Sequence, residues 1–156
     1  MPRHNRRWPK ADLVNMCAVP IDADGRVSRG ILLRRLDIEA TPLAVRSATE
    51  DLALLIKDRF HNPDLTAQAE LILAETLNNI VEHAYRGSGA GRIKIWLHES
   101  ANHLRVDLID SGIPMPGGTI PDPAPVSPMT DTNALPEGGF GWPLIHQIAD
   151  AVFYQR

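Results

Sequence analysis

The chain has a single cysteine, Cys17, among 156 residues. An intrachain disulfide is therefore excluded, and a reducing cytoplasm is the natural setting. No apolar run approaches the roughly 20 residues that span a bilayer, and no membrane association is expected. The first residues are basic and polar and lack the apolar core of a secretory leader. Aromatics make up 5% of the chain. No basic stripe interleaved with aromatics runs through the domain, so direct contact with nucleic acid is not expected there. The six histidines, at 4, 61, 83, 98, 103 and 146, show no metal-ligand spacing, and Cys17 has no partner ligand. The lysine-bearing phosphate loop is missing, and so is any G-x-S-x-G nucleophile elbow.

What is present suits one domain with a real core. The net charge of −3 hides an asymmetry, because residues 1–35 carry eight Lys/Arg against three Asp. The remainder is accordingly acidic. Residues 1–30 have no clear period and read as a basic N-terminal arm, with a short strand expected near 13–19. Its ordinary reading is a solvated tail. Residues 31–38 are apolar and β-branched enough for a strand. Thr41-Pro42 reads as a helix N-cap followed by Pro at the first helical position. That helix continues to Lys57, with Leu43, Val45, Leu52, Leu55 and Ile56 as its apolar residues. Asn62-Pro63-Asp64 starts a second helix that runs to about Tyr85 and leaves through Arg86-Gly87-Ser88-Gly89. Strict alternation at 91–99 and an apolar run at 104–109 predict an antiparallel hairpin. Residues 113–137 hold seven of the thirteen prolines, the mark of a functional or unstructured loop. A last helix is expected over 139–149, with Pro143 harmless in its first turn, and a strand start at 151–154. The mixed order of elements implies an α+β fold with helices on one face of a mixed sheet.

Three segments carry chemistry. The second helix places Glu75, Asn79 and His83 at four-residue intervals. Its apolar residues Leu73, Leu77, Ile80 and Ala84 share another face. An Asn one turn from a Glu can offer an oxygen to Mg²⁺ while the carboxylate orients or deprotonates a nucleophile. The ordinary alternative is a solvated polar face. Asp110-Ser111-Gly112 follows an apolar strand. It suits a strand-end turn, and equally a carboxylate that accepts from an exocyclic amine such as adenine's, with Gly112 letting the backbone approach the ring. Gly138, Gly139 and Gly141, within E-G-G-F-G-W-P-L-I from Glu137 to Ile145, open a helix whose first N–H groups could hold phosphate. They could also be no more than a loop exit. His83 reads as a helix-end polar contact, and Trp96 and Trp142 read as packing residues.

Taken in this order and spacing, these segments resemble the GHKL-type (Bergerat) ATP-binding fold shared by DNA gyrase B, the ninety-kilodalton heat-shock chaperones and sensor histidine kinases. Within that fold the likeness is to the small bacterial anti-sigma factor serine/threonine kinases. Their helix reads E-x-x-x-N-A-x-x-H-A/G-Y, matched here by Glu75, Asn79, His83, Ala84 and Tyr85. The resemblance covers residues 34–156.

It implies a two-layer α/β sandwich, with helices on one face of a mixed, mostly antiparallel sheet, over 31–156. ATP would lie among the helices under a lid at 113–137. Glu75 would be the catalytic base and Asn79 the Mg²⁺ ligand. Asp110 and Gly112 would read adenine, and His83, Gly138, Gly139 and Gly141 would complete the nucleotide site. The implied activity is phosphorylation of a STAS-domain anti-sigma factor antagonist, with control of a sigma factor by partner switching; a homodimer is also allowed. An ATP-binding module that sequesters a partner without phosphotransfer, and the ATP domain of a sensor histidine kinase, remain the alternatives. The chain departs from the family at Trp142-Pro143, where a leucine-containing pair is usual, in residues 1–30, which have no counterpart, and in its end at Arg156, one strand early.

Overall fold

Alternation in the central strand organises the whole domain. The structure is a computed structural model, and it describes residues 30–100, 103–121 and 141–155. The arm at 1–29, the expected strand at 13–19, most of the Pro-rich stretch, and Gly138 and Gly139 lie outside the described residues. Strand β1 spans Ile31–Glu39, β2 Arg92–Ser100 and β3 His103–Ile109. They form a sheet in the order β1-β2-β3, antiparallel throughout. On β2, Ile93, Ile95 and Leu97 are fully buried. Arg92 and Lys94 on the other face are exposed, and Trp96 and His98 are half-buried. The period-2 pattern therefore sorts the strand into a core face and an outer face. The outer face holds Trp96 under the Arg35 guanidinium, 5.4 Å from the ring centre.

Two helices pack on the core face, α1 at Pro42–Phe60 and α2 at Pro63–Asn79. Thr41 caps α1 by accepting the Ala44 N–H at 3.2 Å. Asn62 caps α2 by accepting the N–H groups of Asp64 and Leu65, each at 3.1 Å. Between the helices His61 takes a left-handed conformation, φ 51°. In α1, Val45, Ala48, Leu52 and Ile56 meet the core, as their spacing requires. Leu43 does not, and is 79% exposed. It lies nine residues from Leu52, half a helical turn out of phase. From α2, Leu73 and Leu77 enter the same core, followed by Ile80 and Val81.

Two sequence expectations need correction. The second helix does not stay α-helical to Tyr85. Residues Ile80–Ala84 form a π-helical turn, closed by the Tyr85 N–H on the Ile80 carbonyl at 3.1 Å. The chain then exits through left-handed Arg86 and Gly87, with the Gly87 N–H on the Val81 carbonyl at 2.9 Å. The strand expected at 151–154 is absent, since residues 151–155 form no ladder. Val152 packs on the core instead. The Tyr154 hydroxyl accepts the Met115 N–H at 3.0 Å, which ties this segment to the loop after β3. Helix α3, Gly141–Ile148, packs on α2 and sends Ile145 into the core. The result is an α+β sandwich, one helical layer on one antiparallel sheet.

Candidate functional site

The residues singled out by sequence gather at two places along one helix. At the first, α2 meets the start of α3. A Cβ placed on Gly141 would stand 2.7 Å from Glu75 Oε2 and 3.5 Å from Asn79 Nδ2. The missing side chain is what lets the α3 backbone come this close. The first N–H groups of a helix have no partners within it, and the helix dipole makes that end positive. Glu75 thus sets its carboxylate against an electropositive helix mouth. Pro143 sits in the same first turn and supplies no N–H. One turn along α2, the Asn79 Nδ2 atom is buried and has no hydrogen-bond acceptor. An unsatisfied buried donor costs about 1–3 kcal/mol until an acceptor arrives. This orphaned amide beside a glycine-built cradle suits a phosphate oxygen. Turned over, the same amide presents its oxygen to a cation that such a phosphate carries.

At the second place, the turn after β3 docks on the π-helical turn. Asp110 is 4% exposed, and its Oδ1 accepts the Gly112 N–H at 2.7 Å. Its neighbour Gly112 has no room for a side chain. A Cβ there would lie 2.6 Å from the Ala84 carbonyl oxygen and 2.7 Å from the Ala84 Cβ. Next to it the Ile113 N–H donates to that same carbonyl at 2.8 Å. The Tyr85 hydroxyl stitches the corner together. It accepts the Ser111 N–H at 3.0 Å and donates to the Arg92 carbonyl at 2.9 Å. Its ring lies against Gly91 so closely that no Cβ would fit. Gly112 therefore works as a packing residue at this contact, whatever else it meets.

Five residues, roughly 7 Å of helix rise, separate Asn79 from Ala84. Glu75, Asn79 and Gly141 are brought together directly. Asp110 and Gly112 come to the same helix at its far end. His83 joins neither group: it is exposed, in the π-helical turn. A four-residue row needs α-helical phase, and the row is lost where the helix widens after Asn79. Sequence reasoning missed the bridging work of Tyr85 and its dependence on Gly91. A Tyr closing a helix six residues before a glycine was the only signal. Nothing in the sequence marked the π-helical turn.

In sum the arrangement offers a carboxylate, an unsatisfied amide and a helix mouth on one side, and a buried aspartate in a tight turn on the other. Residues 38–156 match the family model of the histidine kinase-like ATPase domain. No curated protein matches the chain. No helix among the described residues is long and apolar enough to cross a membrane.

Proposed function

Since the chain belongs to the histidine kinase-like ATPase family, we propose that it is a Mg·ATP-dependent serine/threonine kinase of the anti-sigma type. Its substrate would be a serine on a STAS-domain antagonist, and the phosphorylation state would decide whether a sigma factor is held. The supporting observation is the convergence of Glu75 and Asn79 on the first residue of α3. In this reading the α3 N–H groups hold the phosphates and Asn79 turns its amide oxygen to the metal. The metal takes its other ligands from phosphate oxygens and water. Mg²⁺ supplies neutralisation of the charge that builds on the transferring phosphoryl group. Glu75 accepts the serine proton as the γ-phosphoryl moves to the hydroxyl oxygen and ADP leaves. Asp110, fixed by its turn, receives the adenine amine. The stretch from 113 through the prolines closes over the nucleotide as a lid.

The experiment is incubation with Mg²⁺, ATP labelled at the γ-phosphate, and a STAS-domain protein that carries the acceptor serine. Label should appear on that serine. Glu75→Gln should abolish transfer while nucleotide still binds. Transfer by Glu75→Gln at the native rate would remove Glu75 from the role of base. A second reading, ATP retention and partner sequestration without transfer, is favoured by Pro143, which removes one donor from the phosphate-facing turn. Tight Mg·ATP binding with an unlabelled partner would select it.

A further inference from the structure

A second concavity lies on another side of α2. Helices α1 and α2 enclose a groove of about 350 Å³. Val45, Thr49 and Ala74 form its floor, and Glu50, Glu70 and Asn78 stand on its rim. On α2, Ala74 points 100° away from Glu75, so the groove is separate from the nucleotide face. Two observations say what the groove lacks. The Thr49 hydroxyl is in a residue 6% exposed, lines the groove, and has no hydrogen-bond partner. The rim is acidic: Arg46 is matched by Glu50 at 2.9 Å, whereas Glu70 has no ion pair among the described residues. A fitting occupant has an apolar body, a polar hydrogen for Thr49 Oγ1, and positive charge.

The chain itself contains such a segment. Residues 6–10 read Arg6-Arg7-Trp8-Pro9-Lys10. A Trp buries on the order of 150–250 Å² and brings an indole N–H that can only donate. Three cations flank it. Reach is ample. Residues 11–29 could extend to roughly 60 Å at about 3.3 Å each. Strand β1 starts beside the C-terminal end of α1, since Ile31 pairs with Glu99 and Glu99 holds Arg59 at 2.9 Å. From there the groove is less than the length of α1 away, which is about 28 Å.

We propose that residues 6–10 dock in the α1–α2 groove of the same molecule, with Trp8 on the Val45–Ala74 floor and the three cations over Glu50 and Glu70. The Trp8 indole then donates to Thr49 Oγ1. The basic arm covers an acidic groove, and any partner that uses this face must first displace it. The contact is intramolecular, so weak pairings suffice at the high effective concentration of a tethered segment. Because its ion pairs are exposed, salt weakens it.

The test uses the full chain with Cys17→Ser and Asn5→Cys, and a nitroxide on the new thiol. At low salt the amide signals of Thr49, Ala74 and Asn78 should be broadened away. They should return at about 1 M salt, where the Debye length is ~3 Å. They should also return in Trp8→Ala and in Glu50→Lys/Glu70→Lys, with the remaining spectrum unchanged. Broadening centred on the outer sheet face, or broadening that survives Trp8→Ala, would overturn the proposal. So would broadening that passes from a labelled chain to an unlabelled, isotopically enriched one, because the contact would then join two copies.

Discussion

Substituting Gly112 by Ala strikes the contact that joins the Asp110 turn to the helix. The added methyl would stand 2.6 Å from the Ala84 carbonyl oxygen, 2.8 Å from its carbonyl carbon and 2.7 Å from its Cβ. Two of these atoms are backbone, inside a hydrogen-bonded turn, and cannot swing aside as a side chain would. Relief requires the turn and the helix to part, which stretches the 2.8 Å bond from the Ile113 N–H to that carbonyl. Overpacking of this kind costs about 1–3 kcal/mol, and a weakened hydrogen bond adds ~1 kcal/mol. The expected loss is therefore about 2–4 kcal/mol. For a domain of this size each kcal/mol moves Tm by about 4 °C, so Tm should fall by roughly 8–16 °C. Thermal and urea unfolding followed by circular dichroism would measure it. The double variant with Ala84→Gly removes the methyl–methyl clash and leaves the carbonyl clash, so rescue should be partial and the two changes non-additive. Ser111→Ala, at an exposed neighbour, is the control and should stay within about 0.5 kcal/mol. A Gly112→Ala protein as stable as the parent would refute the close contact and with it the fixed placement of Asp110.

Gly141→Ala should behave in the opposite way. Its new methyl meets the far end of the flexible Glu75 side chain, so stability should change by less than about 1 kcal/mol. Displacing that carboxylate from the helix mouth should weaken Mg·ATP binding about tenfold or more, read by titration calorimetry. Tyr85→Phe leaves the Ser111 N–H and the Arg92 carbonyl without their shared hydroxyl. It should cost about 1–2 kcal/mol in urea unfolding and speed hydrogen exchange at Ser111. Asn62→Ala removes the acceptor for two N–H groups at the start of α2 and should lower stability by ~1 kcal/mol in the same assay.

The layers of the fold were legible in the sequence because short-range rules set them. Ile93, Ile95 and Leu97 alternate, and a strand with one buried face has no other register. Thr41-Pro42 and Asn62-Pro63 announce their helices through the chemistry of the cap. The candidate residues Glu75 and Asn79 were legible because an α-helix makes a four-residue interval a neighbour relation. His83 failed where that premise failed, in the wider turn after Asn79. The π-helical turn rests on tertiary contacts: Ala84 against Gly112, and Tyr85 against Gly91, Arg92 and Ser111. No local pattern encodes these. Leu43 was misplaced by counting apolar residues without their phase. The segment after α3 looked like a strand from composition, but its Tyr154 hydroxyl is committed to Met115 and its backbone joins no ladder.

The widened turn at Ile80–Ala84 also makes the spacing between the two halves of the site an integer that cannot be adjusted. Deleting one residue from it would let the helix relax to ordinary winding. Everything downstream would then rotate by about 100° and retract Ala84 from beneath Gly112. Inserting one would overshoot by the same angle. Segment length here is thus as much a part of the site as any side chain, and a change of count between Asn79 and Tyr85 should be harder to accommodate than most changes of identity.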